Sequence, residues 1–198
     1  MLRLFIAIPV PLDVRKRIEE FQQQLQCRSP VDKIRWTPPE QFHITLNFLG
    51  EVLEERVETI KAAAAKVCSG FAAIQISANG VGYFRDFKNP RVVWVGANDK
   101  SSQMSVLHML LTKALRSSIQ SKKEDPFSGH ITLGRFFGAS NPENRDFLKL
   151  TTPLQMKHFG GWNANAVEII RSDLSPAGAK HTLLLSCPLA SKHHGVGA

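Results

Sequence analysis

His43-Ile44-Thr45-Leu46 recurs letter for letter as His130-Ile131-Thr132-Leu133, and these two tetrapeptides decide the fold. In an extended strand, alternate side chains point to one face. His43 and Thr45 therefore share a face, Ile44 and Leu46 take the other, and the second copy divides in the same way. Each copy sets an apolar anchor against a titratable ring beside a hydroxyl. A repeat of this kind within one chain points to a duplicated unit.

The segments around each copy extend that reading. Leu2 to Val10 alternates and is rich in branched and aromatic residues, which predicts a strand. Val14, Ile18, Phe21 and Leu25 recur at helical spacing, which predicts a helix over 11–26 with Pro11 at its start. Pro38-Pro39 leads into the first motif strand, 42–49, which Gly50 ends. A helix is predicted over 53–68, then strands over 71–78 and 91–97. The intervening loop, 79–90, holds Gly80, Gly82, Asn89 and Pro90. A helix over 104–119 precedes the second motif strand, 130–137, and a short helix over 141–150 follows it. Strands over 166–173 and 180–187, joined at Ser175-Pro176-Ala177-Gly178, close the chain. A long helix thus precedes each motif strand and another follows it. The pattern predicts an α+β fold with two lobes related by a pseudo-two-fold axis. Each lobe is expected to be a mainly antiparallel sheet with helices on its outer face. Residues 1–190 make one bilobal domain and 191–198 a flexible tail.

Composition sets the class. The 198 residues are 43% hydrophobic and 21% charged, as in a soluble globular protein. A net charge of +8 leaves two readings open, a basic protein with no particular partner or one with a polyanionic partner such as nucleic acid. Cys27, Cys68 and Cys187 lack CxxC spacing, so they read as thiols of a reducing compartment, and the expected location is cytoplasmic. The apolar run at the N-terminus is short and enters the charged Asp13-Val14-Arg15-Lys16-Arg17, so it reads as a first strand rather than a leader. No stretch approaches the ~20 apolar residues of a membrane span. Nothing demands more than a monomer.

If the two motif strands face one cleft, two imidazoles and two hydroxyls converge. A histidine pKa near ~6.5 lets one ring be charged and the other neutral near pH 7, which supplies an acid and a base together. Threonine hydroxyls can donate to phosphate oxygens as charge builds there. A phosphodiester needs both kinds of help, since its leaving alkoxide must gain a proton and its attacking water must lose one. Zinc is disfavoured, because neither motif contains Cys, Asp or Glu and a structural site takes four ligands. A serine nucleophile is disfavoured by the lack of GxSxG. The remaining structural reading makes both histidines ordinary strand residues of a duplicated core.

With its doubled His-x-Thr-x signature, the chain resembles the two-histidine (2H) phosphoesterase superfamily. More narrowly, it is similar to the RNA 2′,3′-cyclic phosphodiesterases, historically called 2′-5′ RNA ligases. The matching segments are Arg3 to Pro11, Arg35-Trp36, Pro39 to Glu51, Pro90 to Trp94, Pro126-Phe127 and His130 to Arg135. The resemblance implies hydrolysis of an RNA 2′,3′-cyclic phosphate end to a 2′-phosphate, with no metal and no cofactor. It implies a bilobal fold with the active site in a cleft between the lobes, His43 as proton donor and His130 as proton acceptor. Thr45, Thr132 and Arg135 are implied as phosphate ligands, and Phe48 as a contact for the nucleoside. Two alternatives stand beside it: reversible 2′-5′ joining of tRNA halves, and a nucleotide- or RNA-binding module without catalysis. Strand parity points Phe48 and Arg135 away from their motif histidines, so they reach the cleft only where a strand bends or ends, which Gly134 allows. For Phe48 core packing is the competing role, and for Arg135 a surface charge. Relatives commonly have Pro where this chain has Gly129 and Lys where it has Asn47; parity puts Asn47 on the face of His43 and Thr45. Of the other histidines, His108 reads as packed or on a helix surface, His158 and His181 have no partner in sequence, and His193-His194 falls in the tail. Trp36 and Trp94 read as packing residues, with base stacking as the other option.

Overall fold

The computed structural model describes residues 1–198 except 30–32, 87–88, 117–126, 138–141, 155, 177 and 191–198. The predicted tail, Pro126 and the end of the helix expected to reach residue 119 lie outside the described residues. The strands are β1 (Leu2–Pro9), β2 (Ile34–Trp36), β3 (His43–Val52), β4 (Ile74–Asp86), β5 (Asn89–Asn98), β6 (His130–Phe136), β7 (His158–Ala164), β8 (Ala166–Ser175) and β9 (Gly178–Pro188). The helices are α1 (Leu12–Arg28), α2 (Val57–Ser69), α3 (Gln103–Leu115) and α4 (Pro142–Thr151).

All pairings between the named strands are antiparallel. They form one curled sheet in the order β7-β4-β5-β6-β3-β1-β8-β9, with β2 alongside β6. The two motif strands are central neighbours and meet at a single register pair, Ile44 opposite Ile131. These are the same position of the two motifs. An antiparallel pair of equivalent positions is what a two-fold axis through the sheet requires, and four strands of the main path lie on either side of it. The expected lobes are thus the two halves of one sheet.

The core lies between this sheet and the helices. The periodicity of α1 emerges as the buried set Val14, Ile18, Phe21 and Leu25, joined by Gln22. Phe21 packs on Phe159 of β7 with ring centroids 5.0 Å apart. Helix α3 buries Met104, Leu107, Leu111 and Leu115, and its neighbours are α2 and β3. Among the described residues, no helix is long and apolar enough to cross a membrane.

Three local expectations differ from the structure. The predicted loop 79–90 is mostly strand, because Gly80 (φ 71°) sits at a register shift between Asn79 and Val81 and lets β4 continue as a bulge. Likewise Gly50 (φ 70°) does not end β3, which runs on to Val52. Strand β2 is not among the expected elements, and neither is β7, which contains Gly160 and Gly161. There the glycines serve close approach: a Cβ on Gly160 would stand 3.1 Å from Arg17, and one on Gly161 3.1 Å from the Ile76 carbonyl.

Candidate active site

Each motif strand carries a bulge at the same place. On β3, Ile6 is opposite Asn47 and Ala7 opposite Thr45, so Leu46 is the extra residue. On β6, Val93 is opposite Gly134 and Trp94 opposite Thr132, so Leu133 is the extra residue. An extra residue reverses the facing of everything after it. Leu46 and Asn47 are both buried, as are Leu133 and Gly134, and exposure resumes at Phe48 and Arg135. The bulges thus return Phe48 and Arg135 to the face of the histidines, against simple parity. They also move Asn47 off that face: it is 7% exposed and donates from Nδ2 to Thr112 Oγ1 at 2.7 Å. Asn47 belongs to the packing of α3 and does not face the cleft.

Both bulge carbonyls are held from the helix layer. His108 Nδ1 on α3 donates to the Leu46 carbonyl at 2.8 Å, and Gln22 Nε2 on α1 donates to the Leu133 carbonyl at 2.8 Å. Gln22 Nε2 also reaches the Thr37 carbonyl at 2.8 Å, tying the segment ahead of the first motif to the second motif. His108, stacked on Phe127, is a structural histidine.

The cleft face is concave and encloses a cavity of about 600 Å³. His43, Thr45, Phe48, His130, Thr132 and Arg135 all line it. Its described lining also includes Arg3 and His181 and contains no Asp or Glu. Such a wall attracts anions. Among the described residues, no group of three or more His, Cys, Asp or Glu is disposed to hold a metal ion.

The two histidines are set alike. His43 Nδ1 lies 2.6 Å from the Gln41 carbonyl, and His130 Nδ1 lies 2.7 Å from the Ser128 carbonyl. A carbonyl only accepts, so each Nδ1 carries a proton and each neutral ring has a bare Nε2. His43 Nε2 lies 3.1 Å from Thr45 Oγ1, whose hydroxyl donates to it when the ring is neutral. Burial pushes the His43 imidazole down to about 4, and positive charge on His181, His130 and Arg135 pushes the same way, against the Gln41 carbonyl. Burial also lowers His130, with Arg135 adding to the effect and the Ser128 carbonyl opposing it.

His181 is the cleft residue that sequence reasoning missed. Its ring lies 5.6 Å from that of His43 and 5.0 Å from that of Phe5. Phe5, 4% exposed, floors this end and contacts His43 (4.8 Å) and Phe48 (6.1 Å). The β8–β9 hairpin curls over the cleft, and Gln41 Nε2 fastens it by donating to the Ala179 carbonyl at 2.7 Å. On the far side Phe84 meets His130 edge-on at 4.6 Å. Trp94 lies beside them, 6.4 Å from His130, and lines a second cavity, whereas Trp36 packs against the core.

Comparison with known proteins sets this geometry among relatives. The family described as LigT like Phosphoesterase matches residues 8–94. An RNA 2′,3′-cyclic phosphodiesterase of Archaeoglobus fulgidus is 30% identical over 177 residues, covering 89% of this chain and 94% of the relative. One from Thermotoga maritima is 32% identical over 134 residues, covering 68% and 70%. Among solved structures, TT0787 of Thermus thermophilus superposes with a TM-score of 0.78 at 28% identity, covering 97% of this chain and all of that one. E. coli LigT complexed with 3′-AMP shares the fold, with a TM-score of 0.76 at 24% identity over 96% and 98% of the two chains.

Proposed function

The chain belongs to the LigT-like phosphoesterases of the 2H superfamily, the family of the RNA 2′,3′-cyclic phosphodiesterases, and on that premise we propose that it hydrolyses RNA 2′,3′-cyclic phosphate ends to 2′-phosphates without a metal. The observation that carries the reading is the convergence of two Nε2 atoms and two threonines in one cavity whose described lining holds Arg3 and Arg135 and no Asp or Glu.

Water attacks phosphorus and the P–O3′ bond breaks. His130 Nε2 takes the proton of the water, and protonated His43 delivers its Nε2 proton to O3′, leaving a free 3′-hydroxyl and a 2′-phosphate. Thr45 and Thr132 donate to the non-bridging oxygens, and Arg135 offsets their charge. In the resting site the Thr45 hydroxyl is engaged by neutral His43 Nε2. Protonation of that nitrogen frees the hydroxyl for the phosphate. Both rings are neutral near pH 7 in the empty cleft, and the bound phosphodiester anion favours the imidazolium the donor needs. Phe48 offers its face to the nucleoside.

The test is incubation in EDTA with an RNA oligonucleotide ending in a 2′,3′-cyclic phosphate. The expected product is the 2′-phosphate; intact cyclic ends after prolonged incubation with folded protein would refute the reading. His43→Ala and His130→Ala should each lower kcat by about 10²–10⁴-fold with the thermal midpoint little changed. Full activity in either variant would remove that residue from the mechanism.

A further inference from the structure

We propose that Arg3 forms a subsite for the phosphodiester on the 5′ side of the terminal nucleoside, so that the cleft takes the end of a polynucleotide in preference to a lone nucleoside cyclic phosphate. This deepens the phosphodiesterase reading and rests on it.

In the β1–β3 ladder the extra residues all lie on β3. Strand β1 is regular, so Arg3, Phe5 and Ala7 project from its cleft face in order. Ala7 is opposite Thr45, Phe5 is opposite Phe48, and Arg3 is opposite Glu51. At a rise of about 3.3 Å per residue, Arg3 stands about 13 Å along the strand from the level of Thr45, with the Phe5–Phe48 pair midway. A nucleoside resting on Phe48, whose ring is 63% exposed and backed by Phe5, therefore lies between the motif residues and Arg3. Its 5′ oxygen leads away from the histidines and toward the guanidinium.

The way to Arg3 is open. Gly50 holds φ 70° and nothing lies within 4 Å of where its Cβ would stand. Arg3 is exposed and lines the same cavity as the histidines. Among the described residues it makes no ion pair, although Glu51 is its cross-strand neighbour. On the Trp94 side of His130 the described residues offer a phosphate no cation. Among the described residues, a second cavity of about 740 Å³, beside Trp94, is lined by Asn79, Asn98, Ser102 and Ser128 among others, with Asp99 and no Lys, Arg or His. The anionic strand therefore leaves past Arg3.

The experiment compares an RNA trinucleotide ending in a 2′,3′-cyclic phosphate with the mononucleoside 2′,3′-cyclic phosphate. The unaltered enzyme should show higher kcat/KM on the trinucleotide. Arg3→Gln should lower the trinucleotide-to-mononucleotide ratio about tenfold, chiefly through KM, as expected for a lost charged phosphate contact, and Arg3→Lys should keep most of it. A ratio unchanged by Arg3→Gln would overturn the subsite. Equilibrium binding of the trinucleotide 2′-phosphate and the nucleoside 2′-phosphate decides the same question without turnover. Arg3→Gln should weaken only the former by a large factor and reduce its salt slope by about 0.7. Equal weakening of both ligands would overturn the subsite, whereas failed turnover by the unaltered enzyme bears on the phosphodiesterase reading alone.

Discussion

Two backbone carbonyls, each two residues ahead of a motif histidine, settle which ring nitrogen faces the cleft. With Nδ1 protonated on both rings, the proposed acid and base are chemically the same group in two charge states. What differs is the surroundings: His43 has Thr45 on Nε2 and His181 against its edge. Because burial and neighbouring charge hold the His43 ring, the proposed donor, below its ordinary value, it loses its proton at a lower pH than free imidazole. The plot of kcat/KM against pH should therefore already be falling as pH rises through ~6.5. His181→Gln removes one of the positive charges facing His43, leaving His130 and Arg135, so this alkaline limb should move to higher pH. A purely structural role for His181 would lower activity at every pH and leave the limb in place. His43, Thr45, His130 and Thr132 were legible in the sequence because each pair is adjacent and the pattern repeats. His181 was not, because it reaches the cleft through the curl of a hairpin that begins more than thirty residues after the second motif.

At the scale of elements, the matched bulges place the residues that parity misplaces. Nothing in His43 to Leu49 or His130 to Phe136 announces them, since apolar and polar residues alternate on paper in either case. What reveals them is the supporting layer, His108 to Leu46 and Gln22 to Leu133. These bonds link the helix faces, which periodicity does predict, to strand geometry, which it does not. Gln22 is 2% exposed, so Gln22→Leu keeps the bulk while stranding the Thr37 carbonyl and removing one donor from Leu133. Urea denaturation should show a loss of about 1–3 kcal/mol. The bulge then loosens where Arg135 is aimed, so KM for the cyclic phosphate should rise while the variant stays folded. A loss of stability with KM unmoved would detach the helix layer from the site.

For the whole molecule, the duplication seen in two tetrapeptides becomes a sheet whose halves meet at Ile44 and Ile131. The α+β class and the bilobal plan could be read from the order of elements. That the last hairpin completes the half begun by the first strand could not, because strand pairing across the chain leaves no local mark. The same closure gathers His43, His130 and His181 into one cavity, all three with pKa values lowered by burial. The consequence for stability has a definite sign. Each ring binds protons more weakly folded than unfolded, so between the unfolded value near ~6.5 and about 4 for His43 the unfolded chain holds more protons. Stability is then full above ~6.5 and declines as pH falls through this window. Glu168, raised by its burial, opposes the trend with one group against three. Denaturation midpoints should therefore drop between pH 7 and pH 4.5, and His43→Gln should flatten that drop. A nucleoside 2′-phosphate, the end group of the proposed product, should bind the folded cleft alone and supply negative charge that the described lining lacks, so it should raise the midpoint more at pH 5.5 than at pH 7.5. An equal rise at both values would mean that the three rings do not titrate against the ligand.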